Sequence, residues 1–262
     1  MITLLIIVGL GGLIGALLGL TGAGGGILAV PALTLGLGWS MTQSAPIALM
    51  AVASAACIGM LSGLKQGLVR FRAAFLISFI GILVAPIGQA LAHQLPQKAL
   101  MGLFACVMLI VAARLMRNPS TTRNVGQKSC LLNENTGRIN WNITSFLKLS
   151  AIGSVSGLAT GLLGVGGGFI IVPALLRCSN ITINGIVATS LMVITLISTG
   201  TVLQAMGSVN FTFQSWTFII GAVLGMIITR PLTAKIPALY IQRVFVTLII
   251  CVSLIFFYKV FF

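Results

Sequence analysis

Two copies of one glycine-rich segment organise this sequence: Gly15-Ala-Leu-Leu-Gly-Leu-Thr-Gly-Ala-Gly-Gly-Gly-Ile-Leu-Ala-Val-Pro-Ala-Leu33 and, 142 residues later, Gly157-Leu-Ala-Thr-Gly-Leu-Leu-Gly-Val-Gly-Gly-Gly-Phe-Ile-Ile-Val-Pro-Ala-Leu175. Eleven of the 19 positions are identical. A repeat at an offset of more than half the chain indicates two homologous halves rather than a short-period solenoid. We therefore predict a first membrane repeat at residues 1–116, a linker at 117–142 and a second membrane repeat at 143–262.

The composition is that of a polytopic membrane protein. Of the 262 residues, 58% are hydrophobic and 6% are charged, and the mean hydropathy is +1.16. Apolar runs such as 2–20, 73–92 and 99–113 have the length and character of membrane helices. The first run has no Lys or Arg before it, so it lacks the basic start of a cleaved signal peptide and is expected to be a retained helix.

Hydropathy and turn residues predict an all-α integral membrane fold. The expected helices are 2–20, 27–37, 40–64, 73–92, 98–115, 143–163, 169–176, 185–206, 213–229 and 238–261. The third helix begins either at a capping box formed by Ser40 and Gln43 or later, with Pro46 in its first turn. Glycines at 22–26 and 164–168 interrupt the pattern. Each half therefore has four to five helices, including one broken or re-entrant pair.

The basic residues are distributed unevenly. There are 15 Lys and Arg residues against a single acid, Glu134, which gives a net charge of +14. Whether the broken pairs span or re-enter, 13 of the 15 fall on one side of the membrane, and only Lys98 and Lys259 fall on the other. The positive-inside rule predicts a cytoplasmic linker and both termini outside. Each half then crosses an odd number of times, so the two halves are expected to be inverted repeats.

The shortage of acids bears on the ligand. Many pumps pass protons or cations through Asp, Glu or His inside the bilayer, and no predicted span here holds a carboxylate. An anionic substrate therefore fits better than a cation. The basic residues lie at helix ends, where they suit anionic lipid headgroups and not nucleic acid. The five cysteines form no CxxC pair and have no His at ligand spacing, so neither a metal site nor a cofactor is predicted.

The glycine breaks are the first candidate site. They leave backbone N–H groups uncovered, which at membrane depth must face water, protein or a ligand. Each break leads into a helix whose N-terminus has partial positive charge and free N–H donors. With inverted halves, the two N-termini would point toward one anion near the midplane. The substrate-binding candidates in the breaks are Thr21, Gly24, Gly25, Gly26, Gly166, Gly167 and Gly168.

An alternative is that the glycines only allow close helix packing, as in small-xxx-small contacts. That explanation suits Gly15 and Gly157 better than the triple glycines. Gly25 and Gly167 are expected to need either a positive φ or a close approach to a ligand, which only glycine allows at low cost. The breaks are not P-loops, since no Lys-Ser/Thr follows and no strand precedes them.

Polar side chains within the spans are the second set of candidates. They are Ser54 and Cys57 in the third predicted helix, and Thr189, Ser190 and Ser198 in the equivalent helix of the second half. Such hydroxyls could replace the hydration shell of an oxyanion. The alternative is that each hydroxyl bonds back to its own helix.

The motifs resemble those of the sulfite exporter TauE/SafE family of bacterial membrane transporters. The resemblance lies in the duplicated Gly-x-Gly-Gly-Gly…Pro-Ala-Leu signature, in Ala188-Thr-Ser-Leu191, and in the basic central loop. It implies a multi-pass protein of the bacterial inner membrane that moves sulfite, sulfoacetate, thiosulfate or similar sulfur oxyanions and organosulfonates. This chain departs in its first half, where Ile47-Ala-Leu-Met50 stands at the position of Thr189-Ser-Leu-Met192. That difference weakens the case for equal contributions from both halves.

We therefore expect a secondary transporter of small anions, with sulfite or an organosulfonate as the substrate, that works by alternating access. Transport of other small organic anions is the main alternative. An intramembrane enzyme would need a nucleophile–base set or metal ligands, which the sequence does not show. A non-transporting scaffold would have no reason to keep two glycine breaks. The expected partners are the anion and the lipid bilayer, and a homodimer is compatible with the sequence.

Overall fold

A computed structural model describes residues 2–22, 24–117, 142–179, 182–205, 212–231 and 238–261, and within these ranges the chain forms ten α-helices. The helices of the first half are α1 (Ile2–Thr21), α2 (Ala29–Gly36), α3 (Met41–Lys65), α4 (Phe71–Gln94) and α5 (Gln97–Arg117). Those of the second half are α6 (Ile143–Leu163), α7 (Gly168–Cys178), α8 (Ile183–Ala205), α9 (Phe213–Thr229) and α10 (Ala238–Phe261). Under the 142-residue offset, α1 to α5 correspond in order to α6 to α10.

Seven of the described helices are long and apolar enough to cross a membrane: α1, α3, α4, α5, α6, α8 and α10. The remaining three, α2, α7 and α9, are apolar but shorter. Large hydrophobic side chains such as Phe79 (67% exposed) and Leu83 (61% exposed) cover the outside, as expected for surfaces that face lipid. The predicted all-α integral membrane fold is therefore confirmed.

The start of α3 agrees with the first of its two predicted alternatives. The helix begins at Met41, and the hydroxyl of Ser40 accepts a hydrogen bond from the backbone N–H of Gln43 at 3.3 Å. Pro46 lies inside α3, so the alternative of a later start is wrong.

The chain after the first break differs slightly from the prediction. Helical backbone begins at Gly25, two residues early, as a 3-10 turn (Gly25–Leu28) that leads into α2. The early start follows from Thr21, whose hydroxyl accepts the N–H of Gly25 at 3.0 Å. In the second half, α7 is longer than the predicted 169–176.

Most of the predicted linker, residues 118–141 with Glu134, lies outside the described residues. Of its two ends, Arg117 belongs to α5, and Asn142 caps α6 by accepting the N–H of Ile143 at 2.9 Å. Residues 206–211, between α8 and α9, and 232–237, between α9 and α10, lie outside the described residues as well.

Two close helix pairs join the halves. α1 packs along α9, and the equivalent α6 packs along α4. Glycines bring these backbones together: a Cβ on Gly15 would overlap the carbonyl of Ala222, and a Cβ on Gly157 would overlap the carbonyl of Gly81. The packing role predicted for Gly15 and Gly157 is confirmed.

A third pair joins the equivalent helices α3 and α8. Gly63 of α3 lies against Ala188, whereas Gly59, one turn earlier, lies against Leu191, later in α8. The order of contacts is reversed, so the two helices are antiparallel.

The pair of α5 and α10 repeats this relation. Near the end of α5, the carbonyl of Leu115 accepts a hydrogen bond from the side-chain amide of Gln242. Nearer the middle, the carbonyl of Ala105 accepts one at 3.0 Å from the hydroxyl of Ser253. These helices, too, are equivalent in sequence position and antiparallel.

Candidate functional site

The two glycine breaks meet inside the protein. A Cβ on Gly26 of the first break would lie 3.1 Å from the carbonyl oxygen of Val165 in the second break. Val52 of α3 touches both breaks, since its methyl groups would lie 3.3 Å from a Cβ on Gly26 and 3.4 Å from one on Gly166. The Cγ2 atom of Ile194 in α8 would lie 3.2 Å from the same Cβ position on Gly166. Val52 and Ile194 lie near the midpoints of α3 and α8, so the junction is central along these helices.

The second break has a continuous run of unpaired backbone donors. Gly166 and Gly167 have left-handed backbones with φ of 77° and 67°, and α7 begins at the next residue. From Val165 to Phe169, none of the five N–H groups has an acceptor among the described residues, and all five residues are buried. Successive N–H groups in such a conformation form a concave nest that suits an anion. The positive φ expected at Gly167 is confirmed.

The first break is organised differently. The N–H of Gly25 is bonded to Thr21, and the N–H of Ile27 is bonded to the carbonyl of Gly24 at 3.1 Å. Gly25 does not have a positive φ. Glycine is needed there because a Cβ would run into the backbone of Leu17 and Leu18 in α1. The close approach at Gly25 is therefore to the protein's own backbone and not to a ligand, as the packing alternative predicted.

One hydroxyl of the second candidate set reaches the junction. Ser198 is completely buried, and its Oγ lies 2.9 Å from the position of a Cβ on Gly166. This oxygen has no hydrogen-bond partner among the described residues.

Two other candidates on α8 lie closer to its start. Thr189 is about 13 Å from Ser198 along the helix, at 1.5 Å per residue. Its hydroxyl donates to the carbonyl of Gly185 at 2.7 Å and accepts the backbone N–H of Arg70 at 3.1 Å. Ser190 bonds back to the carbonyl of Val187 at 2.8 Å. Thr189 therefore ties the α3–α4 connection to α8.

The candidates on α3 lie on a different face from Val52. At about 100° per residue, Ser54 is rotated by about 200° and Cys57 by about 140° from it. The hydroxyl of Ser54 bonds back to the carbonyl of Met50 at 2.9 Å. The structure therefore brings Gly26 and the second break together with Ser198. It places Gly24 against Phe245 and Gly25 against α1, and it does not bring Ser54, Cys57, Thr189 or Ser190 to the junction.

Three residues at the junction were not predicted from the sequence: Val52, Ile194 and Ser156. Val52 and Ile194 occupy the same position in the two halves, which was a usable signal, but neither is polar. The hydroxyl of Ser156 in α6 donates to the carbonyl of Gly167 at 3.4 Å. Within the described ranges, no group of three or more His, Cys, Asp or Glu side chains is placed to hold a metal ion.

A cavity of about 240 Å³ opens between the start of α3 and the α4–α5 connection. Its lining includes Met41, Thr42 and His93. One turn further along α3, Ala45 contacts the second break, because its Cβ occupies the space that a Cβ on Gly164 would need. The cavity lies at the end of the molecule where α3 begins, and its lining contains no residue of either break.

These features define a helical, multi-pass membrane protein in which two interrupted helices meet at the centre, an arrangement typical of secondary transporters. The sequence model of the sulfite exporter TauE/SafE family matches residues 7–256, so the chain belongs to that family. Two relatives, both described as "Probable membrane transporter protein", come from the 9a5c and Temecula1 strains of Xylella fastidiosa. Each is 27% identical over 96% of this chain and 94% of its own length. No solved structure matches the chain. The protein is a membrane transporter and not an enzyme.

Proposed function

We propose that the protein moves small sulfur oxyanions, such as sulfite or an organosulfonate, across the bacterial inner membrane. The anion would bind at the junction of the two glycine breaks, and access would alternate between the two sides. The family supports the class of substrate. The junction supports the location, because its donors are backbone N–H groups and hydroxyls in a chain with one acid.

One observation carries the proposal: in the buried residues from Val165 to Phe169, five successive N–H groups have no acceptor among the described residues. Each buried donor without a partner costs about 1–3 kcal/mol, so a run of five requires a compensating acceptor. An oxyanion offers several acceptor oxygens at once, and the N-terminus of α7 adds partial positive charge. Anion binding at this place explains why the unpaired groups are tolerated.

The antiparallel pairs α3/α8 and α5/α10 support an inverted repeat. Two halves related by inversion place equivalent helices antiparallel wherever these helices meet. The contacts between the halves also repeat. α1 of the first half packs on α9 of the second, and the equivalent α6 of the second half packs on the equivalent α4 of the first. Alternating access would then arise from rocking one half against the other around the central junction.

The test is sulfite flux into proteoliposomes that contain the purified protein. We expect uptake that saturates with sulfite and is inhibited by sulfoacetate or thiosulfate, with protein-free liposomes as the control. Flux of simple carboxylates with no sulfite flux would instead support transport of other organic anions. Absence of flux for every anion would contradict the proposal.

A further inference from the structure

We propose that the anion is held by one half of the junction only, through the donors of the second break together with the hydroxyl of Ser198. The inference rests on the proposed anion transport and identifies which groups of that site carry the affinity. It makes Ser198 a specificity-determining residue for oxyanions.

The hydroxyl of Ser198 stands out from its neighbours on α8. Thr195 and Thr201, one turn before and after it, donate to carbonyls of their own helix at 2.8 and 2.7 Å. Ser198 makes no such bond, although its side chain is fully buried and its oxygen is enclosed. A buried hydroxyl that neither bonds back nor finds a protein partner is available to an external acceptor.

Ser198 also faces the donors of the second break. The space that a Cβ on Gly166 would take adjoins the Oγ of Ser198 at 2.9 Å. Because residue 166 is glycine, no side chain separates the backbone of the second break from the hydroxyl of Ser198. The left-handed Gly167 is followed by Gly168, the first residue of the right-handed, 11-residue helix α7, and this change of hand suits a nest of backbone N–H groups. The break and the hydroxyl are thus two independent observations that point to the same ligand chemistry.

The first half does not offer the same continuous set, because the N–H groups of Gly24 and Gly26, which have no acceptor among the described residues, are separated by the bonded N–H of Gly25. Ala56 occupies the position of Ser198 in α3 and has no donor. Gly24, the counterpart of Gly166, lies against the ring of Phe245, whose Cε1 would be 2.8 Å from its Cβ. The N–H of Gly25 is already bonded to Thr21. The two equivalent glycines therefore have different neighbours. Gly24 lies beside the aromatic ring of Phe245, whereas Gly166 lies beside the hydroxyl of Ser198.

The test is the affinity of purified, full-length protein for sulfite, measured by titration calorimetry under anaerobic conditions. We expect Ser198→Ala to weaken sulfite binding about tenfold or more, as for the loss of a hydrogen bond to a charged group. Ser198→Cys, which keeps the size of the side chain with a weaker donor, should fall between wild type and Ser198→Ala. Thr201→Val is the matched control, since it removes a buried hydroxyl of the same helix that is bonded internally. It should bind sulfite with wild-type affinity.

The outcomes separate this inference from the proposed function. Wild-type affinity in both folded Ser198 variants would overturn the one-sided site and leave anion transport intact. An equal loss in Thr201→Val would overturn it too, because the effect would then be a general response of α8. If the wild-type protein neither binds nor transports sulfite, thiosulfate or sulfoacetate, the proposed function itself fails.

Discussion

Gly166 combines two separate constraints. Its backbone is left-handed, with φ of 77°, and a side chain there would reach the hydroxyl of Ser198. Gly38 is a natural comparison, because its φ is 70° and a Cβ would meet nothing within 4 Å. Alanine in a left-handed conformation costs about 1–2 kcal/mol at either position. At residue 166, but not at residue 38, the methyl group of alanine would also occupy space next to the proposed anion.

We therefore predict that both Gly166→Ala and Gly38→Ala lower the melting temperature, Gly166→Ala the more because its Cβ also crowds Ser198 and Ile194, and that the two variants differ in ligand binding. Gly166→Ala should lose most of its affinity for sulfite, whereas Gly38→Ala should keep it. The measurement is sulfite titration of folded, monodisperse protein together with thermal unfolding. Normal sulfite binding by Gly166→Ala would show that the second break is not the anion site.

At this scale the sequence predicted some features and missed others. The sequence predicted that Gly25 and Gly167 both need glycine, but it did not decide between a positive φ and a close approach: Gly167 has the positive φ, and Gly25 has a close approach to α1. The contact of Gly24 with Phe245 could not be predicted, because it depends on how a helix more than 200 residues away packs against the break. Whether Ser54 and Ser190 bond to their own helices was also open, since both choices fit the same residue types.

At the level of helices, the α1–α9 interface depends on backbone contact. Gly15 faces the carbonyl of Ala222, while Gly9, on the same helix, is exposed and has nothing within 4 Å of its Cβ position. We predict that Gly15→Ala destabilises the protein by about 1–3 kcal/mol, as overpacking does. Gly9→Ala should be neutral or slightly stabilising, because alanine favours helix.

Thermal unfolding of both variants in the same detergent checks this prediction. Folded Gly15→Ala should retain sulfite affinity, since α1 and α9 meet away from the junction donors. Equal melting temperatures for the two variants would contradict the packing role of Gly15.

Helix lengths could be predicted from hydropathy, but helix partners could not. The helices of this chain are apolar nearly all round, so no amphipathic stripe indicates which face packs against protein. The glycine spacing in α1 and α6 predicted that each of these helices packs closely against another helix, but it did not indicate which helix that is. The pairing of α3 with α8 emerges only when both halves are placed together.

For the whole molecule, the scarcity of acids predicts transport that does not depend on a carboxylate. The single acid, Glu134, falls in the predicted linker and not in a predicted span. We predict that Glu134→Gln leaves sulfite flux in proteoliposomes nearly unchanged, because the substitution removes a charge that lies outside every predicted span. A large loss of flux would mean that the linker takes part in transport.

The basic connections come together at one end of the molecule. The backbone N–H of Arg70, before α4, donates to Thr189 near the start of α8 at 3.1 Å. The guanidinium of Arg230, after α9, lies 2.8 Å from the Cβ position of Gly59 in the last turns of α3. Gln242, near the start of α10, contacts Leu115 near the end of α5, so the linker leaves from the same end. These contacts support the division of charge predicted from the sequence.

This arrangement leads to a prediction about orientation. Positively charged connections are retained on the cytoplasmic side, so the linker should be cytoplasmic and both termini periplasmic. Reporter fusions at Val125 in the linker and at Phe262 at the C-terminus should therefore report different compartments, with Val125 inside. The predicted topology places an odd number of crossings between these two points, and the antiparallel pairing of α3 with α8 supports halves that enter the membrane in opposite directions. If both fusions reported the same compartment, the number of crossings after the linker would be even. Inversion of the halves would then fail, and with it the symmetric rocking proposed for transport.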